Sequence, residues 1–194
     1  GPSVERLNKV GDDYVYDIEV TTNRIDCMSV YGIAREASAI LPRFGYKAKL
    51  LSDPFSAPLS FKTSSSVSYL KVKVDPVLCP KFCAVLIKNV KIAPSPKWIA
   101  NKLESVGMRP INNVVDISNL LMHELGQPLH TFDYDKISKK TMVLRQSKAG
   151  ETITTLDGKA HRLPGSDIVI EDGNQRLIDL CGIMGGALSA VDDN

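Results

Sequence analysis

Between Met108 and Asp135 the chain reads MRPINNVVDISNLLMHELGQPLHTFDYD. Arg109, Asn112, Asn113, Asp116, Ser118, Asn119, His123, Gln127 and His130 surround one short apolar helix in this stretch. These side chains combine hydrogen-bond donors with acceptors. A helix built only for packing does not need them at both ends, so the pattern reads as the wall of a site. The Gly126-Gln127-Pro128 turn delivers His130 just past the helix end, where an imidazole can orient or move a proton. Gly185-Gly186 offers successive backbone N–H groups that no side chain shields, and such groups can receive a hydroxyl or an oxyanion. The plainer reading of that pair is a tight turn. A Ser-His-Asp triad can be written from Ser118, His130 and either Asp133 or Asp116. No nucleophile elbow surrounds Ser118, which falls inside the helix, so covalent catalysis is set aside. A lone histidine is also often structural, and His123 and His161 read as surface or satisfied residues.

Three stretches of chain must position these groups. Tyr14 to Val20 alternates as a strand does. Asp26 offers a helix N-cap, followed by an apolar stripe of Met28, Tyr31, Ala34, Ala37, Ile40 and Leu41 that stops at Pro42. Between strand and helix, Asn23, Arg24 and Asp26 suit either phosphate binding or, preferred here, a cap with an internal ion pair. A linker is expected over 46–66. It carries Pro54, Pro58 and the run Thr63-Ser64-Ser65-Ser66, with Leu59 and Phe61 alternating like a short strand.

The third stretch, 67–194, reads as the main domain. Tyr69, Val72 and Val74 lead to a turn at Asp75-Pro76. Phe82 to Ile92 is rich in β-branched residues and is expected to be a central strand. Ser95 and Pro96 start a helix carrying Trp98, Ile99, Leu103 and Val106, which Gly107 ends. A helix after Asp116 is expected to bury Ile117, Leu120, Leu121 and Leu125. Strands follow at Thr141 to Arg145, Glu151 to Thr155, Ile168 to Ile170 and Arg176 to Met184, with a hairpin at Asp157-Gly158. The expected class is α+β, with mixed and antiparallel sheets and helices on one side.

Composition excludes several functions. The chain has 194 residues and a formal net charge of +2, so charge by itself predicts no nucleic-acid binding. No apolar run is long enough for a membrane helix, and no secretory signal is present. Neither a Walker loop nor a Gly-rich dinucleotide fingerprint appears. Cys27, Cys79, Cys83 and Cys181 read as reduced, mostly buried thiols. Cys79 and Cys83 have no second Cys or His pair at finger spacing, so no metal is expected. The start Gly1-Pro2-Ser3 is similar to a protease-cleavage scar, which suggests a piece of a larger protein.

The segments that bear chemistry also carry a resemblance. Arg109 to Asn119 and Glu124 to Asp133 resemble R-P-I-N-N-V-V-D-[IV]-T-N and E-L-G-Q-P-[LM]-H-[AT]-F-D of the beta subunit of bacterial phenylalanyl-tRNA synthetases, with Ser118 for Thr. Thr22 to Ser29 and Tyr31 to Glu36 resemble that family's T-x-N-R-x-D-C-L-S-x-x-G-[IV]-A-R-E. Leu156-Asp157-Gly158 resembles its T-L-D-G hairpin. Gly182 to Gly186, with Ser189, Val191 and Asp193, resembles its G-I-[MF]-G-G-x-x-S-x-V-x-D.

The resemblance implies a B3/B4 editing domain at 67–194, preceded at 1–45 by the tail of another domain. It implies hydrolysis of tyrosine misattached to tRNA(Phe), by water attack on the aminoacyl ester. By the same resemblance His130 and Asn119 orient ester and water, while Arg109, Ser118, Gly185 and Gly186 line the substrate site. No cofactor is expected in this chain. ATP and Mg2+ would serve the parent ligase, through an alpha subunit in an alpha2beta2 assembly in the cytoplasm. The tRNA(Phe) acceptor end is the other expected partner. One departure stands out: the family's acidic residue that reads the tyrosine hydroxyl lies beyond 191–194, so an incomplete pocket and little activity are expected of these residues alone. Two other readings compete. One is a non-catalytic scaffold that positions tRNA, and the other is a free-standing module that edits in trans.

Overall fold

The structure, a computed structural model, describes residues 2–56 and 69–192. Much of the expected linker, with Pro58, Leu59, Phe61 and the 63–66 run, lies outside the described residues, as do Val67 and Asp193. The chain divides into two compact units, one of residues 1–61 and 93–129, the other of 62–92 and 130–194. The stretch 67–194 thus contributes to both. In class the protein is α+β, as the residue pattern suggests.

The first unit opens with strands β1 (Ser3–Val10) and β2 (Asp13–Glu19), an antiparallel hairpin closed at Gly11, where φ is +61°. Helix α1 (Val30–Ile40) begins later than expected: Ser29, not Asp26, caps it by accepting a hydrogen bond from Gly32 N at 2.9 Å. Ser29 has the extended backbone a cap requires. Asp26 instead lies in a short 3-10 turn, where Arg24 and Arg35 engage its carboxylate. Gly32 is buried, and a Cβ there would collide with the Asp26 carbonyl and lie 2.9 Å from Cys27 Cα. Only glycine lets α1 lie so close to that turn. The expected stripe is not a core face, since Met28, Ile40 and Leu41 are all exposed.

Helices α2 (Lys97–Ser105) and α3 (Asn113–Leu125) carry the core of this unit, Ile99, Leu103 and Leu120, with Met108 against them. Gly107, at φ +80°, ends α2, and Met108 N reaches back to Leu103 O at 2.9 Å. Ile117, expected to be buried, is exposed, as are Trp98 and Val106 of the α2 stretch. A helical stripe wider than its partner surface leaves its margins in solvent. Helix α3 starts at Asn113 rather than after Asp116, because Asn112 Oδ1 accepts from Val114 N at 3.1 Å and Val115 N at 3.0 Å.

The second unit is built on one five-stranded sheet. Its strands are β3 (Lys71–Val74), β4 (Thr141–Gln146), β7 (Ile168–Asp172), β8 (Leu177–Leu180) and β9 (Met184–Gly185), in the order β3-β4-β7-β8-β9. β3 runs parallel to β4 and the other pairs are antiparallel. The hairpin expected at Asp157-Gly158 joins β5 (Thr152–Thr154) to β6 (Ala160–Arg162), with Gly158 at φ +78°. Ile170 and Ile178 belong to one apolar cluster with Met142 and Leu144; Val169 and Leu177 belong to another with Ile153 and Leu163. Neighbours along a strand point to opposite faces, so β7 and β8 are buried on both.

Two strand expectations fail. Phe82 to Ile92 forms no strand, and Val85 and Ile87 are 80% and 72% exposed. Asn89 has φ +58°, which interrupts extended backbone. β-branched composition favours a strand only where a partner and a surface to pack on exist. Arg176 to Met184 is not one strand but two. Gly182, at φ +73°, reverses the chain between β8 and β9, and Leu180 pairs with Met184. Among the cysteines only Cys27 is buried, and Cys83 is exposed. Among the described residues no helix is long and apolar enough to cross a membrane.

Candidate functional site

In the second unit three motif segments converge on Gly185. The β8–β9 reversal sets Gly185 opposite Asp179 in the sheet, and partners opposite each other share a face. On that face the imidazole of His130 lies directly against Gly185, where a Cβ would run into its Cε1 and Nε2. Phe132 meets the ring edge-on, with centroids 4.4 Å apart and an interplanar angle of 77°. The hairpin holds the other edge of β9: Leu156 N donates to Gly185 O at 3.0 Å, and Thr155 bridges to Gly186. Thr155 is fully buried and donates to Asp157 Oδ1 at 2.6 Å, which keeps the Asp157 carboxyl below its ordinary range.

The segment after His130 is tied down as well. Asp133 N donates to Ser189 O at 2.9 Å, and buried Ser189 donates to Ile178 O at 3.1 Å. Lys136 donates to Ala190 O at 2.8 Å and pairs with Asp192 and Asp133. Its pairing with Asp192 raises the Lys136 ammonium above its usual range. The His130 ring therefore stands on a braced platform while its side chain stays 32% exposed.

Gly185 and Gly186 do not form the tight turn of the plainer reading. Gly185 ends β9, and Gly186, just after it, donates its N–H to Ile178 O at 2.9 Å. The N–H of Gly186 is thus taken up by the sheet, and a Cβ there would sit 2.7 Å from the same carbonyl.

Residue patterns did not single out Asp179 and Cys181. Asp179 is buried on β8, and its Oδ1 lies 3.9 Å from His130 Nε2. Burial pushes its carboxyl upward, against the opposing pull of the His130 charge and a hydrogen bond from Cys181. The Cys181 thiol is pushed up to about 12, chiefly by burial and then by the neighbouring Asp179 charge. An acidic residue inside the apolar run Leu177-Ile178-Asp179-Leu180 was the available signal, because a buried carboxylate needs a partner.

The remaining expected site residues lie in the first unit. Arg109 is exposed and Asn119 is half-buried on α3. Ser118 is buried and its hydroxyl donates to Val115 O at 2.7 Å, so it is back-bonded within the helix. Several polar residues around it are framework. Asp116, fully buried, accepts from Ser95 Oγ at 2.5 Å and from Ile111 N at 2.8 Å. Asn113 N donates to Ala93 O at 2.9 Å. His123 Nε2 lies 3.0 Å from Met108 Sδ.

Near Thr22 the ion-pair reading holds. Arg24 donates to Asp26 at 2.9 Å and to Glu36 at 2.6 and 2.9 Å, and Arg35 donates to Asp26 at 2.9 Å. Arg24 above all holds the Asp26 carboxyl down at about 2. Asp26, Cys27 and Glu36 have metal-like spacing, but the Arg24 guanidinium already occupies the space between them. A cavity of about 550 Å³ in the second unit is lined by Glu151, Thr152, Thr154, Arg176, Leu177 and Leu188, not by His130 or Gly185.

Comparison with known proteins matches this arrangement to a family. Residues 78–194 match the model of the B3/4 domain. The whole chain is 40% identical to the phenylalanine--tRNA ligase beta subunit of Carboxydothermus hydrogenoformans and covers 23% of that protein. It is 41% identical over 93% of its length to the subunit of Geobacter sulfurreducens, covering 22% of it. The figures are 42%, 94% and 22% for Geobacillus kaustophilus. The chain therefore spans less than a quarter of these relatives. An N-terminal fragment of the phenylalanyl-tRNA synthetase beta-subunit from Pyrococcus horikoshii superposes with a TM-score of 0.46 at 14% identity, over 99% of this chain and 56% of that one, too loosely to carry an argument. The chain belongs to the B3/4 domain family, and along its full length it is similar to one segment of phenylalanine--tRNA ligase beta subunits.

Proposed function

We propose that this chain is a beta-subunit module of a phenylalanine--tRNA ligase that hydrolyses tyrosyl-tRNA(Phe). The observation that carries the reading is the imidazole of His130 seated on Gly185 beside a buried carboxylate. A pocket shaped for phenylalanine rejects a near-isostere with an added hydroxyl only weakly. A second site that requires the hydroxyl discriminates far better, because its polar groups stay unpaired with phenylalanine. Water attacks an ester that is already activated, so orientation supplies much of the acceleration. His130 carries the proton-handling role, with the backbone of Gly185 close to it. Asn119 keeps the orienting role, and Arg109 and Ser118 the substrate-site roles, that the resemblance assigns, each testable in the same assay. The alpha subunit and the tRNA acceptor end are the proposed partners, in the cytoplasm.

The test is hydrolysis of tyrosyl-tRNA(Phe) by the ligase carrying this segment, comparing wild type with His130→Ala and using phenylalanyl-tRNA(Phe) as control. The expected loss is about 10²-fold or more, specific to the tyrosyl ester. Unchanged turnover would leave the scaffold reading, which the framework roles of Asn112, Asn113 and Asp116 favour.

A further inference from the structure

Asp179 is the one ionisable side chain that meets the functional edge of His130 among the described residues of the second unit. Cys181 stands behind it as a hydrogen-bond donor, and Cys79 lies close enough to Cys181 to act on it electrostatically. Neither thiol brings a cation, so His130 is the charge partner of Asp179. The ring has little freedom to leave. Gly185 is beneath it, Phe132 is edge-on at 4.4 Å, and Asp179 Oδ1 lies 3.9 Å from Nε2.

We infer that Asp179 is a positioning residue for His130: from 3.9 Å, without a direct hydrogen bond, its charge holds the Nε2 edge and favours the imidazolium that forms as Nδ1 takes a proton from water. The inference rests on the ester-hydrolase reading above. A carboxylate near an imidazole supports the cation that forms when the ring takes a proton. In the reaction the water oxygen bonds to the ester carbonyl carbon as Nδ1 takes a water proton. The tetrahedral adduct then breaks its bond to the ribose oxygen, and Nδ1 returns the proton to that oxygen. Free tyrosine leaves as its carboxylate, its acid proton going to solvent, and the tRNA regains its terminal hydroxyl. Nothing is oxidised or reduced, and Asp179 itself does not change protonation.

The experiment is a double-mutant cycle in the ligase carrying this segment, with tyrosyl-tRNA(Phe) as substrate and kcat and KM measured separately. Asp179→Asn is expected to lower kcat roughly 10- to 100-fold, the scale on which groups that orient an imidazole act, and to leave KM unchanged. Asp179→Glu should restore part of the loss. In a His130→Ala background Asp179→Asn should add almost nothing, since the two act as one unit. An equal loss in both backgrounds would show a structural role only and overturn the inference. Wild-type kcat in Asp179→Asn, with His130→Ala slow, would overturn it too while sparing the hydrolase reading. Wild-type kcat in His130→Ala would overturn that reading itself. Thermal melting of each variant accompanies the assay, and Asp179→Ser repeats the cycle if the Asn variant melts early.

Discussion

The imidazole of His130 occupies the space that a side chain at residue 185 would fill. A Cβ built on Gly185 would run into Cε1 and Nε2 and lie 3.1 Å from Nδ1. The glycine is therefore required by the ring above it, not by its own backbone angles, since it is absent from the positive-φ residues.

Gly185→Ala must move either the ring or β9. Overpacking of this kind costs about 1–3 kcal/mol, and the displaced ring should cost tyrosyl-ester hydrolysis about 10²-fold. Urea unfolding and the editing assay read the two effects. An alanine variant that is wild-type in both would refute the close seating of His130.

Asp116 carries a structural load. Asp116→Ala leaves the Ser95 hydroxyl and Ile111 N–H without their buried acceptor. The expected loss is about 2–3 kcal/mol. Asp116→Asn keeps an oxygen acceptor and should cost less. Chemical denaturation of the three proteins gives the order, and equal stability of Ala and Asn variants would contradict it.

Asn112 caps α3 through two hydrogen bonds from one side-chain oxygen. Asn112→Ala is expected to cost about 1 kcal/mol, with Asn112→Ser recovering most of it. Amide exchange at Val114 and Val115 should quicken in the alanine variant and return toward wild type in the serine variant.

Acid should weaken the second unit through Arg145. Its guanidinium donates to Glu151 at 2.7 and 2.9 Å and to Glu171 at 2.6 and 2.8 Å. The hydrogen bonds from Arg145 hold the Glu151 carboxyl down at about 2, against an ordinary 4.5. A depressed carboxyl stabilises the fold fully above its unfolded value, and that stability fades as pH falls toward the folded one. The loss belongs between pH 4.5 and about 2. Unfolding free energy measured across this window should fall more steeply in wild type than in Glu151→Gln. Parallel curves would mean that the pair contributes nothing to acid stability.

Much of the local structure was legible from residue types. Gly107 and Gly126 end helices as expected, both at positive φ. The Asp157-Gly158 hairpin and the strands around Thr141 and Ile168 stand where alternation and turn chemistry place them. The errors are of two physical kinds. Competing caps misled the helix starts: Ser29 outdid Asp26 because two arginines already engage that carboxylate, and Asn112 preceded Asp116 because only Asn112 has extended backbone at the right place. Missing partners misled the strand at 82–92, where Val85, Ile87 and Val90 meet solvent instead of a neighbouring strand.

By itself the order of residues determined the family resemblance, the α+β class, most element positions and His130 with Gly185 as residues of interest. These rest on caps, turns and alternation, which act over a few neighbours along the chain. Only the tertiary structure decided that His130 sits on Gly185, that Asp179 lies near its Nε2, and that Asp116 holds the loops at Ser95 and Ile111. Those relations depend on the register of β8 against β9 and on where the reversal at Gly182 falls. A shift of one residue there would turn Asp179 to the opposite face of the sheet, and nothing local in Leu177-Ile178-Asp179-Leu180 specifies which face that is.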